Sequence, residues 1–129
     1  MSRAGEERGQ PRPPVEPSAP GALDGIVVLD FSRLFAGPLA SMTLADLGAE
    51  VIKVEAPGGG DGMRSMAPPG RFNASHVALN RGKASLALDL RSPGAADVLC
   101  RLVRWADVVV ESHRQGQLDR FGLGYDVMR

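Results

Sequence analysis

Four short apolar runs punctuate the chain, each closing on an acid. They are Ile26-Val27-Val28-Leu29-Asp30, Val51-Ile52-Lys53-Val54-Glu55, Ser85-Leu86-Ala87-Leu88-Asp89 and Asp107-Val108-Val109-Val110-Glu111. The first and fourth are nearly continuous and β-branched, the pattern of strands covered on both faces of a parallel sheet. The second carries Lys53 inside the run and the third alternates, so these two are expected to keep a partly solvated face. Helical segments fall between the runs. Pro38 suits a first helical turn, Leu39, Met42 and Leu47 mark an inward face with Thr43 and Asp46 opposite, and Gly48 is placed to end the helix. Ser92-Pro93 supplies an N-cap and a first-turn proline for a second helix. There Val98, Leu99, Leu102 and Val103 point inward, and Arg101 and Arg104 outward. Shorter helical turns are expected around residues 117–121 and near the C-terminus. The order predicts an α/β fold: an open, mostly parallel Rossmann-like sheet with flanking helices. Residues 56–74, with five glycines and three prolines, form a loop too long for a simple connector, either functional or an ordered excursion over a partner.

Composition divides the 129 residues unevenly. The first 20 hold five of the ten prolines with three acids and three bases, so residues 1–21 are expected to be a disordered Pro-rich tail and 22–129 the folding unit. No signal peptide and no run of about 18 apolar residues is present, so no membrane segment is expected. The single cysteine, Cys100, excludes an internal disulfide, fits a cytoplasmic setting and reads as a small buried hydrophobe. With only His76 and His113 beside it, no zinc or other metal site is expected.

Net charge is zero but polarised. Residues 24–62 hold six acids against Arg33 and Lys53, and residues 63–104 hold seven bases against Asp89 and Asp97. The basic half suits a phosphorylated ligand or a solvated surface, and nothing matches a nucleic-acid binder. Ligands of such sheets sit at the carboxyl ends of the strands, here 31–37, 55–60, 89–91 and 111–116. The first strand-to-helix turn lacks a glycine-rich dinucleotide signature, although Glu55 stands where a ribose-binding acid belongs. Gly58-Gly59-Gly60 lacks the lysine and hydroxyl of a phosphate loop and reads as a flexible loop. Asn80-Arg81-Gly82-Lys83 suits either an anion or a solvated turn. Glu111 and His113 have no nucleophile and orienting group to complete a triad, and His76 reads as a surface or packing residue.

Taken in order, the motifs resemble the family III CoA-transferases of CaiB/BaiF type, which include α-methylacyl-CoA racemases. The matching stretches begin with Leu23-Asp24-Gly25-Ile26-Val27-Val28-Leu29-Asp30-Phe31-Ser32-Arg33 and Ala36-Gly37-Pro38. Leu47-Gly48-Ala49-Glu50-Val51-Ile52-Lys53-Val54-Glu55 and Gly60-Asp61 with Arg64 follow. Then come Asn80-Arg81-Gly82-Lys83-Ala84-Ser85-Leu86-Ala87-Leu88-Asp89-Leu90, Ala106-Asp107-Val108-Val109-Val110-Glu111 and Leu118-Asp119-Arg120-Phe121-Gly122-Leu123-Gly124-Tyr125.

The resemblance implies a site for coenzyme A or an acyl-CoA across the strand ends. Leu34, Phe35 and Ala36 would border it, Leu90 and Phe121 would flank the adenine, and Arg91 and Arg120 would meet phosphates, with Lys83 on the basic rim. A CoA-contacting loop that reads Glu-Asn-Phe or Tyr-Arg-Pro-Gly in the family is here Glu111-Ser112-His113-Arg114-Gln115-Gly116, bringing His113 and Arg114 to the site with altered packing. The family's nucleophilic aspartate is expected beyond Arg129, so the chain would be an N-terminal portion of an acyl-CoA:carboxylate CoA-transferase, incomplete and inactive alone. The implied partners are a CoA thioester and a carboxylate, with an interlocked homodimer or a complementary C-terminal chain. A racemase-type fragment, a non-enzymatic CoA or nucleotide-binding module and a dinucleotide-binding domain are the alternatives.

Overall fold

The β-branched runs become strands that pair in parallel around the first of them. The computed structural model describes residues 20–68 and 71–129; nearly all of the expected tail lies outside these. Strands β1 (Val27–Asp30), β2 (Glu50–Glu55), β3 (Ala84–Ala87) and β4 (Val108–Val110) form one sheet in the order β3-β2-β1-β4. Every pairing is parallel, with Val28 opposite Val51 on one side and Val108 on the other. Helices α1 (Ala36–Asp46), α2 (Ala74–Leu79) and α3 (Ala95–Trp105) make the crossovers, and α4 (Tyr125–Met128) follows β4. No helix among the described residues is long and apolar enough to cross a membrane.

Side-chain alternation along the strands splits the core into two layers. Leu29, Phe31 and Val54 pack with Leu99, Leu118 and Leu123 on the face covered by α3. Val28, Ala49 and Val51 pack with Leu44 and Ala45 of α1 on the other. Helix α3 presents the inward residues that its period requires. Gly48, with φ +103°, takes the chain out of α1 as expected, and a Cβ at this position would stand 2.9 Å from the Gly21 Cα, too close to fit.

Several expectations are corrected. Strand β4 is an edge of the sheet in the described residues, and Val108 is partly exposed. Lys53 gives β2 no wet face, being only 2% exposed. At the end of the span read as a loop, Asn73 caps the six-residue helix α2, its side chain accepting from the backbone N–H groups of Ser75 and His76. Helix α3 begins after Gly94 in a left-handed conformation, because Ser92 spends its hydroxyl on the Asp89 carbonyl at 2.7 Å. Cys100 is half-buried. On α1 the fully buried positions are Pro38 and Ser41, whereas Leu39 and Leu47 are exposed.

Ser41 faces inward because of a buried acid at the end of β1. Asp30 is fully buried and accepts hydrogen bonds from the backbone N–H of Ser32 at 2.9 Å, from the Ser32 hydroxyl, from Ser41 Oγ at 2.6 Å and from Lys83 Nζ at 3.1 Å. Lys53 Nζ lies 3.8 Å away and donates to the Ser32 carbonyl at 2.8 Å. Removing one partner of a buried ion pair strands the others without water, at about 3–5 kcal/mol. Asp30→Ala is therefore expected to lower unfolding free energy by about that amount, and Ser41→Ala by about 1–3 kcal/mol. Urea denaturation of the two variants checks this ordering, and equal, small losses would contradict the network's role.

Candidate functional site

The strand ends converge on a cleft of about 270 Å³. Phe31, Ser32 and Arg33 enter it from β1, Lys53 to Ala56 from β2, and Leu88 to Arg91 from the segment after β3. His113 enters after β4, and Gln117 and Phe121 close the side. The position follows from topology: β1 connects to β2 on one side and pairs with β4 on the other, and the connections that leave such a reversal in opposite directions open a crevice at the strand ends. A groove of about 510 Å³, formed by Arg91, Arg114 to Gln117, Arg120 and Phe121, continues from the cleft and shares Arg91, Gln117 and Phe121 with it. Of the sequence candidates, Leu90, Arg91, His113, Arg114, Arg120 and Phe121 are thus brought to one continuous depression.

The two buried carboxylates of the cleft, Glu55 and Asp61, are both engaged, while the exposed Asp89 accepts only the Arg91 backbone N–H, at 3.0 Å. Arg64 holds Glu55 in a two-point pair, Nε to Oε2 at 2.7 Å and Nη2 to Oε1 at 2.8 Å, and the Asp61 N–H donates to the same Oε2 at 2.7 Å. The Arg64 hydrogen bonds, opposed by burial and aided by the Asp61 amide, hold the Glu55 pKa down at about 2. Glu55 is accordingly unavailable to a ribose, which removes the one feature favouring a dinucleotide. In the glycine run, Gly58 and Gly59 stand in open space, whereas Gly60, with φ +64°, has no room for a Cβ, which would stand 2.5 Å from Glu55 Oε2. Asp61 lies 3.2 Å from Lys53 Nζ and accepts from the backbone N–H groups of Met63 and Leu34. Burial works against its ionisation, but those amides and Lys53 outweigh it and hold its carboxyl below the usual range.

The arginines behave differently. The guanidinium ion pairs among the described residues are Arg64–Glu55, Arg81–Asp46 and Arg129–Asp126, and Arg91, Arg114 and Arg120 belong to none of them. The depression therefore carries unspent positive charge beside the apolar faces of Leu90 and Phe121.

Other candidates lie elsewhere. Lys83 is not on the rim: its ammonium side chain is 1% exposed and donates to Asp30, Ser41, Asn80 and the Pro38 carbonyl. Burial lowers its pKa, with Asp30 opposing. Leu34 and Phe35, on the loop from β1 into α1, and Ala36, the first residue of α1, stand outside the cleft lining, with Leu34 and Phe35 about half-exposed. His76 packs inside α2 against Asn80, and its burial lowers its pKa. Among the described residues no hydrogen bond joins His113 to Ser112, whose Oγ accepts from the Arg33 amide at 2.9 Å. The His113 ring is 10% exposed; its buried Nδ1 has no hydrogen-bond partner and lies 3.6 Å from Glu111 Oε2. Lys53 and Asp61 were not singled out by sequence reasoning as site residues, although a lone lysine inside an apolar strand was a signal for a buried counter-charge.

The sequence profile of CoA-transferase family III matches residues 23–129, and the chain belongs to that family. It is 43% identical over 106 residues to human succinyl-CoA:glutarate CoA-transferase, covering 81% of this chain and 24% of that protein. It is 47% identical over 121 residues to a probable fatty acyl-CoA transferase of Mycobacterium tuberculosis, covering 91% of this chain and 30% of that one. A crystal structure of a CAIB/BAIF family protein from Brucella suis superposes with a TM-score of 0.79 at 42% identity, over 85% of this chain and 30% of the other. The chain thus spans about a quarter to a third of the length of the relatives it matches.

Glu55 and Asp61 both ionise more readily folded than unfolded, so their stabilisation is complete above the ordinary carboxyl range and is lost as pH falls through it. For Glu55 the window runs from 4.5 down to about 2. Arg64→Ala is expected to lower the melting temperature at neutral pH and to flatten its acid limb, the two curves converging near the lower bound. A gap between the curves that stays constant with pH would contradict the assignment.

Proposed function

We propose that this member of CoA-transferase family III forms the CoA-binding portion of an acyl-CoA:carboxylate CoA-transferase. The observation that carries the reading is the meeting of Leu90 and Phe121 with Arg91, Arg114 and Arg120, none of the three in an ion pair among the described residues, along one depression at the strand ends. Two apolar side chains suit the faces of an adenine, while unpaired guanidinium groups engage phosphate oxygens at two points each. Leu34, Phe35 and Ala36 would border the ligand on the β1 side.

In this reading the transfer begins when an enzyme carboxylate attacks the thioester carbonyl, forming a mixed anhydride and freeing the CoA thiolate. The thiolate attacks the anhydride at the enzyme's carbonyl, leaving an enzyme-bound CoA thioester and the donor acid. An acceptor carboxylate attacks that thioester, giving a second mixed anhydride and the thiolate, which then attacks the acceptor's carbonyl to release the new CoA thioester and the enzyme carboxylate. In this reading the attacking carboxylate is none of the buried acids at the strand ends. In support, Asp30, Glu55 and Asp61 are each saturated by hydrogen bonds and cations, which lowers their nucleophilicity. The exposed Phe72, Trp105 and Tyr125 suit cover by the remainder of the protein or by a dimer partner.

Titration calorimetry with CoA tests the reading. Arg91→Ala and Arg120→Ala are each expected to weaken binding roughly tenfold or more, in line with about 1.5–3 kcal/mol for a charge-assisted hydrogen bond. Binding should also weaken with added salt, and NAD should not compete. CoA affinity untouched in the double variant, or tighter binding of NAD, would sink the proposal.

A further inference from the structure

Leu34 is the one described residue other than glycine whose φ lies in the left-handed region, at +65°. There a Cβ crowds the following carbonyl oxygen, so the conformation persists only where the surroundings enforce it. The enforcement is visible. Both Asp61 oxygens face the Leu34 amide nitrogen, at 3.2 and 3.3 Å. Asp61 is itself held by Lys53 Nζ at 3.2 Å, and that same ammonium donates to the Ser32 carbonyl at 2.8 Å. The chain of contacts from Ser32 through Lys53 and Asp61 to Leu34 is a brace across the turn, and Ser112 ties the intervening Arg33 amide from the opposite side.

The strain gains nothing for the core. Leu34 and Phe35 are 45% and 57% exposed, so the braced turn holds two apolar side chains out beside the cleft instead of burying them. We propose that Asp61 is a positioning residue for the ligand: through the Leu34 amide it fixes the turn that presents Leu34 and Phe35 to a CoA thioester. The inference rests on the CoA reading above and assigns Asp61 no contact of its own with the reacting atoms.

A double-mutant cycle on the intact protein, with CoA as the titrated probe, tests it. Asp61→Asn removes one charge and one acceptor and should raise the CoA Kd about tenfold. Combined with Leu34→Gly, which makes the left-handed backbone free of strain, the same Asp61→Asn change should cost less than about threefold. A merely structural carboxylate would cost the same in both backgrounds, and that result overturns the proposal. Should Asp61→Asn fail to fold, Leu34→Ile at the exposed position carries the test. β-Branching raises the cost of the left-handed conformation, so Kd should rise while the protein stays folded with at most a small fall in melting temperature, and an unchanged Kd overturns the idea. A parent protein that binds no CoA overturns the CoA reading along with this one. A parent that binds CoA with Asp61→Asn equally tight sinks the positioning role alone.

Discussion

The buried carboxylate of Asp30 organises this structure. It ends the central strand, and its oxygens draw in the Ser32 turn, Ser41 of α1 and Lys83 from the approach to β3. An unpaired charge cannot stay in a dry interior, so each partner is compulsory and each fixes a separate segment. Lys53 extends the arrangement to Asp61 and so to the loop after β2. Two carboxylates and two ammonium groups balance inside, with serine hydroxyls and backbone carbonyls filling the remaining valences. The cost of burying them is offset by geometry, and the gain is specificity: α1 can dock on the sheet with only one rotation.

That internal neutrality sets the electrostatics of the cleft. Its buried acids are neutralised in place, Glu55 by Arg64 and Asp61 by Lys53, whereas the arginines at its mouth are not. Attraction for an anion therefore survives at the rim beside two acids that are already paired. The same brace that neutralises Asp61 constrains the turn at Leu34, so electrostatic balance and loop shape are one construction. Helix α2, emerging from a stretch rich in glycine and proline, completes it by carrying Asn80 to the Lys83 ammonium.

Periodicity made much of the fold legible. The four runs closing on acids are the strands or overlap them, and the inward face of α3 is where its period puts it. Leu90 and Arg91 were legible as candidates from their place at a strand end, whereas Arg120 and Phe121 were legible only through the resemblance to a family, because nothing in their local spacing announces a shared pocket. Lys83 misled because a lysine in a polar turn looks the same in sequence whether it faces water or a buried acid. Ser41 was hidden for the converse reason: its inward face is decided by a hydroxyl partner, not by hydrophobicity.

The sequence by itself determined the parallel α/β layering, since two-sided burial of β-branched runs and amphipathic helices admits few other arrangements. It also determined that acids would stand at the strand ends. Only the tertiary structure decided which charges are spent and which remain free. Pairing depends on distances between segments far apart in the chain, Asp30 to Lys83 and Lys53 to Asp61, and no local pattern encodes such distances.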